Sequence, residues 1–116
     1  MTVRKIFANK TGESLVGYEG YAVEFDTDGI SLCDAITDCA VGIVTKGGAT
    51  ESEVCIFGEC EAFTYAALTA GTYLIPHTDG TVKTSAGTAQ EFALALAATP
   101  AGSFGMVFVY GSSNNH

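Results

Sequence analysis

Ala40 to Ala62 reads AVGIVTKGGATESEVCIFGECEA: a strand, a glycine-rich turn, and a second strand that runs past Gly58 into acidic residues. The first strand is short and built of small residues, Ala40, Val41, Gly42, Ile43 and Val44. The second alternates, with Val54 and Ile56 on one face and Cys55 and Phe57 on the other. A two-residue period sorts a pleated strand into an inside and an outside. Most of the chain repeats this habit.

On both sides of this hairpin the same pattern recurs between turn signals. Tyr21 to Asp26 is predicted as a strand with Tyr21, Val23 and Phe25 inward and Glu24 and Asp26 toward water. Asp28-Gly29 reads as a tight turn. Ile30 to Cys33 returns, and Asp34 to Cys39 reads as one capped helical turn or a loop. Phe63 to Tyr65 continues the long strand. Thr72 to Thr78 is a strand at an edge or bent, because Pro76 cannot donate to a ladder. Asp79-Gly80 turns, Thr81 to Thr84 returns as an exposed strand, and Ser85 to Gln90 is a loop. Glu91 to Ala98 (EFALALAA) would suit a helix, but its large/small alternation favours a strand. Gly105 to Tyr110 (GMVFVY) reads as a buried last strand.

This gives about eight to ten short strands separated by turns, with almost no helix, the pattern of a small antiparallel barrel or sandwich. Ahead of it, Thr2 to Gly20 reads as an extended N-terminal arm. In it, Val3 to Ala8 can pair as a strand, with Ile6 and Ala8 on one face and Lys5 and Phe7 on the other. The organisation expected is an arm over residues 1–20, a β-barrel domain over 21–111 and a flexible tail over 112–116.

The chain has 116 residues, which suits one domain, and its net charge of −8 comes from 13 acidic and 5 basic side chains. Such a surface repels phosphate, which argues against nucleic acid and against anionic membranes as partners. No stretch reaches the roughly 18 apolar residues of a membrane span. MTVRKIFANK has basic residues without an apolar run behind them, so no signal peptide is expected and synthesis is assigned to a cytosol. With 47% hydrophobic and only 16% charged residues, either a partner covers some surface or small Ala residues fill it.

The candidates for chemistry are sparse. Cys33, Cys39, Cys55 and Cys60 lack the tight pairs of a zinc site, so no metal is expected and the thiols read as small apolar residues. A turn at Phe57-Gly58 would set Cys55 opposite Cys60; an unbroken or bent strand, the preferred reading, points them apart. His77 reads as a surface side chain near a turn, and His116 ends the chain. Asp26 with Asp28, and Glu59 with Glu61, each share a strand face and read as solvated outer residues rather than a glycosidase pair. FDTDGI lacks the oxygens of a full calcium loop, and Gly47-Gly48 is no phosphate loop. Neither an enzyme nor a cofactor is expected. Arg4 and Lys5 stand apart: two of the five cations sit beside Ile6 and Phe7, either as a solvated terminus or as an arm for an acidic neighbour.

The segment AVGIVTKGGATESEVCIFGECEA resembles a unit of small tailed-phage head decoration, or cement, proteins: a strand and turn before an alternating strand ending in Gly-Glu. The later AGTYLIPHTDGTVKTSAGTAQEFALALAATPAGSFGMVFVYG is similar to the rest of that unit. The likeness spans roughly Tyr21 to Gly111; the four cysteines and the GMVFVY strand depart from it. It implies a β-barrel of the β-tulip type, a homotrimer on the outer surface of the virion capsid, made in the host cytoplasm. It also implies an arm that contacts the major capsid protein, sometimes by strand addition, which assigns the contact to Val3, Arg4, Lys5, Ile6, Phe7 and Ala8. The alternative is a carbohydrate-binding head-fibre or adhesin-type barrel, for which Tyr18, Tyr21 and Tyr65 are the aromatic candidates.

Overall fold

The computed structural model describes residues 3–85 and 90–111; the tail expected over 112–116 and most of the Ser85–Gln90 loop lie outside them. Nine strands follow in chain order: β1 (Arg4–Ala8), β2 (Ala22–Asp26), β3 (Gly29–Leu32), β4 (Gly42–Lys46), β5 (Ser52–Phe63), β6 (Tyr73–Pro76), β7 (Val82–Thr84), β8 (Ala93–Ala95) and β9 (Phe104–Val109). The described residues hold no helix; Asp34–Cys39 is a loop whose Asp38 carboxylate accepts the backbone N–H groups of Asp34 and Ala35.

The strands form one sheet in the order β3-β2-β4-β5-β9-β8-β6-β7, with β1 added beside β5, and every strand pairing is antiparallel. A parallel bridge between Thr64 and Val82 ties the last strand in this order back to the chain leaving β5. The Tyr65 N–H donates to the Val82 carbonyl there at 2.8 Å. The sheet therefore curls into a small all-β barrel, and the curl removes strand edges that would otherwise lie open.

The long β5 is the spine. In its first half Cys55 is opposite both Lys5 and Ile43, and Val54 opposite both Ile6 and Val44, so β1 and β4 flank it on two edges. Its second half pairs with β9 from Gly58↔Val109 to Phe63↔Phe104. Gly58 marks the change, with φ +111°, a conformation that side chains with a Cβ resist. Before it, Val54 faces a core formed with Leu15, Val23, Ile30, Val41 and Val44, while Cys55 faces a second, larger core. After it, Cys60 and Ala62 face that same larger core. One irregular glycine thus shifts the inward side from odd to even positions, as a bulge does. The expectation that Cys55 and Cys60 point apart is corrected by this shift. The strand is continuous, as preferred, but the two-residue period restarts at Gly58.

Other expectations are corrected where the core covers one face of a strand only. Phe25 is 64% exposed, because β2 pairs with β4 only at Ala22 and Val23 and its far end has β3 alone beside it. The turn there is Thr27-Asp28, one residue earlier than the Asp-Gly signal, and Gly29 opens β3. The strand read as exposed, β7, buries Val82 against the barrel interior. In β9 Gly105, Val107 and Val109 are buried, and Phe104 and Met106 face out. In β8 the small side is inward: Ala93 and Ala95 lie opposite Val109 and Val107, whose bulk leaves room for little more than a methyl. Pro76 ends β6 beyond the two residues that pair with β8, so its missing N–H interrupts no ladder on that side.

Candidate functional site

The arm is extended, and it is laid onto its own chain. Arg4–Ala8 pairs with β5 in the register Lys5↔Cys55, Ile6↔Val54, Phe7↔Glu53 and Ala8↔Ser52, with an irregularity between Arg4 and Lys5. Ile6 and Ala8 pack against the smaller core. The Lys5 ammonium sits 2.9 Å from the Glu53 carboxylate, holding that carboxyl below its usual range. Phe7 is 58% exposed, and Val3 and Arg4 are also open to solvent. Among the described residues β1 pairs with β5 alone, so its other edge carries no strand.

The residues just after β1 pin it in place. The Asn9 side-chain amide donates to the Gly48 carbonyl at 2.8 Å, and the Lys10 N–H donates to the Ile30 carbonyl at 2.8 Å. The Lys10 ammonium lies 3.4 Å from Asp26; the hydrogen bond between them raises the lysine, and the Thr27 backbone N–H with Lys10 lowers the aspartate. Gly29 permits this approach, since a Cβ there would collide with the Asn9 carbonyl. Leu15 then plugs the smaller core with no exposed surface. Of the six residues assigned to partner contact, Ile6 and Ala8 are thus committed inward, and Val3, Arg4, Lys5 and Phe7 face outward.

Beside β1 lies an open groove of about 450 Å³. Val3, Phe104 and Met106 give it an apolar floor, and Glu19, Glu59 and Glu61 line it with carboxylates, against the one ammonium of Lys5. Glu59 and Glu61 are exposed on β5, opposite Phe108 and Met106 on β9. Sequence reading found this pair of glutamates but not the groove, because β1 and β9 meet beside β5 only in three dimensions.

None of the four cysteines is in a disulfide. Cys55 and Cys60 are within hydrogen-bond reach of one another; that bond favours the thiolate at Cys55, bringing it to about 7, and together with burial holds Cys60 firmly protonated. Burial above all pushes the Cys33 thiol up, with Glu24 and Asp38 adding repulsion. His77 is engaged elsewhere. Its Nδ1 lies 3.3 Å from the Asp79 carboxylate and its ring stacks on Tyr65 with centroids 3.6 Å apart. His116 lies outside the described residues.

One cluster escaped sequence reading. Glu24, Asp34 and Asp38 bring three carboxylate oxygens within 4.8 Å of one another. Partial burial, then the charges of Asp38 and Asp34, raise Glu24 to about 7, so a shared proton relieves the repulsion. These are the residues that could face a cation among those described, although Asp38 already spends one oxygen on two backbone N–H groups. Of the aromatic candidates, Tyr21 is held between Tyr18 and Phe63, edge-on to the first and stacked on the second.

No protein-family model matches the sequence, and neither does any curated protein. Among solved structures, the chain is similar to the head fiber gp8.5 N base of bacteriophage phi29. The TM-score is 0.59 at 18% identity, over 99% of this chain and 100% of that one. The likeness extends over the arm as well as the barrel, and at this identity it shows a shared all-β fold.

Proposed function

We propose that this protein is a non-enzymatic component of a tailed-phage head, a decoration protein that binds the outer surface of the capsid and stabilises its lattice. The observation that carries the reading is the end-to-end likeness to a phage head-fiber base, reached independently of the decoration-type pattern in Ala40–Ala62. The partners are the major capsid protein and, as a homotrimer, other copies of the chain. The outward side chains of β1, Arg4 and Phe7 above all, with its unpaired edge, supply the capsid contact. Many weak contacts repeated over one lattice add up to firm attachment. The protein would be made in the host cytoplasm and reside on the virion surface.

Co-sedimentation with purified phage heads tests this. The intact protein is expected in the head fraction, and the variant Arg4→Glu with Phe7→Ser, whose exposed positions leave the fold intact, is expected in the supernatant. Full retention of that variant removes β1 from the interface; no sedimentation of the intact protein overturns the reading.

The likeness to a head-fiber base also supports a second reading, a carbohydrate-binding head-fibre or adhesin-type barrel. Saturable glycan binding, lost on replacing Tyr65, would support it.

A further inference from the structure

We infer that the groove between β1 and β9 is a docking site for an extended segment of a protein partner that carries basic and apolar side chains together on one face. Glu59 and Glu61 stand two residues apart on the outer face of β5, and among the described residues neither forms an ion pair. Their cross-strand neighbours are Phe108 and Met106, where a carboxylate facing water ordinarily meets polar or basic side chains. Glu19 reaches the same groove and already accepts the Gly47 N–H at 2.8 Å. The floor is apolar and open, with Phe104 53% and Met106 40% exposed, and Val3 closes one side.

Among the described residues no cation of the chain pairs with either glutamate. Of its five basic residues, Lys5 lines the groove but is held by Glu53, and Lys10 is held by Asp26. A second copy also carries a charge of −8, so two copies meeting here would bring like charges together. An outside segment of opposite sign gains on both counts: its ammonium or guanidinium groups meet Glu59 and Glu61, and its apolar groups cover Met106 and Phe104. Side chains two apart along an extended segment lie on one side, the same spacing as the two glutamates. The inference rests on the head-protein reading only in supposing that the partner is a protein of the head.

The test is fluorescence anisotropy with three labelled peptides, one reading Lys-Ser-Lys-Ser-Ile-Ser-Ile so that its basic and apolar groups share a face, one of uninterrupted Lys, and one reading Glu-Ser-Glu-Ser-Ile-Ser-Ile. The peptide with Lys and Ile on one face is expected to bind saturably and to weaken with added salt. Its affinity should fall at least ten-fold in E59Q/E61Q and also fall in Met106→Ser, with an unchanged thermal midpoint showing that both variants fold. No saturable binding, equal binding by E59Q/E61Q, or equal binding of the all-Lys peptide would overturn the proposal. Loss of peptide binding with head sedimentation intact would condemn the groove alone, whereas failure to sediment with heads condemns the head-protein reading.

Discussion

Cys55 and Cys60 face the same buried core although five positions separate them on one strand. In a regular strand an odd separation puts two side chains on opposite faces. Gly58, at φ +111°, supplies the extra step that turns both thiols inward and lets β5 serve two cores in succession.

Gly58→Ala forces a Cβ into that left-handed backbone. The expected cost is roughly 1–2 kcal/mol, read as a lower denaturant midpoint with little change in slope. A variant as stable as the parent would show that the corner does not depend on glycine.

The thiols should react in a set order. Cys39 is half-buried, while Cys33, Cys55 and Cys60 are buried. Under native conditions a disulfide reagent should modify Cys39 first. Cys55, despite a thiolate favoured by its neighbour, should wait with the other two for unfolding. Rapid labelling of Cys55, located by mass spectrometry, would contradict this.

Glu24 makes stability depend on pH. Its carboxyl is raised from 4.5 to about 7 in the folded state, so between those values the native protein binds more protons than the unfolded chain. Stability is therefore full below about 4.5 and lost as pH rises through about 7. Because the group is only partly buried, screening reduces the effect to about 1 kcal/mol. Glu24→Gln should flatten this decline in denaturation curves taken from pH 5 to 8; an unchanged slope would rule the cluster out as its source.

Leu15 fastens the arm. Leu15→Ala removes a fully buried side chain and should cost about 2–5 kcal/mol. Limited proteolysis should then cut between Thr11 and Glu19 before the barrel, whereas the parent should resist there. Equal resistance would mean that Asn9 and Lys10 hold the arm unaided.

The all-β class was legible in the sequence, because alternation and turn residues are local signals that any strand must carry. So were the hairpin of β4 and β5 and the sorting of β1 into an Ile6/Ala8 face and a Lys5/Phe7 face, since a strand's pleat leaves its mark every second residue; that the first of these faces the core was not. The glutamates of β5 and the cations of the arm were equally visible as residue types.

Which apolar faces are covered was settled by tertiary packing. Phe25, Phe104 and Met106 look like core residues by side-chain type, and they are exposed because no second layer lies over those faces. The carboxylates of Glu24, Asp34 and Asp38 meet because the loop after β3 folds back beside β2, a contact that spacing along the chain does not encode. The groove beside Glu59 and Glu61 exists because β1 and β9, separated by nearly the whole chain, come together around β5. At Gly58 the two levels meet. The residue is visible in the sequence, but its backbone angle, and with it the inward turn of Cys60, is set by the strands on either side.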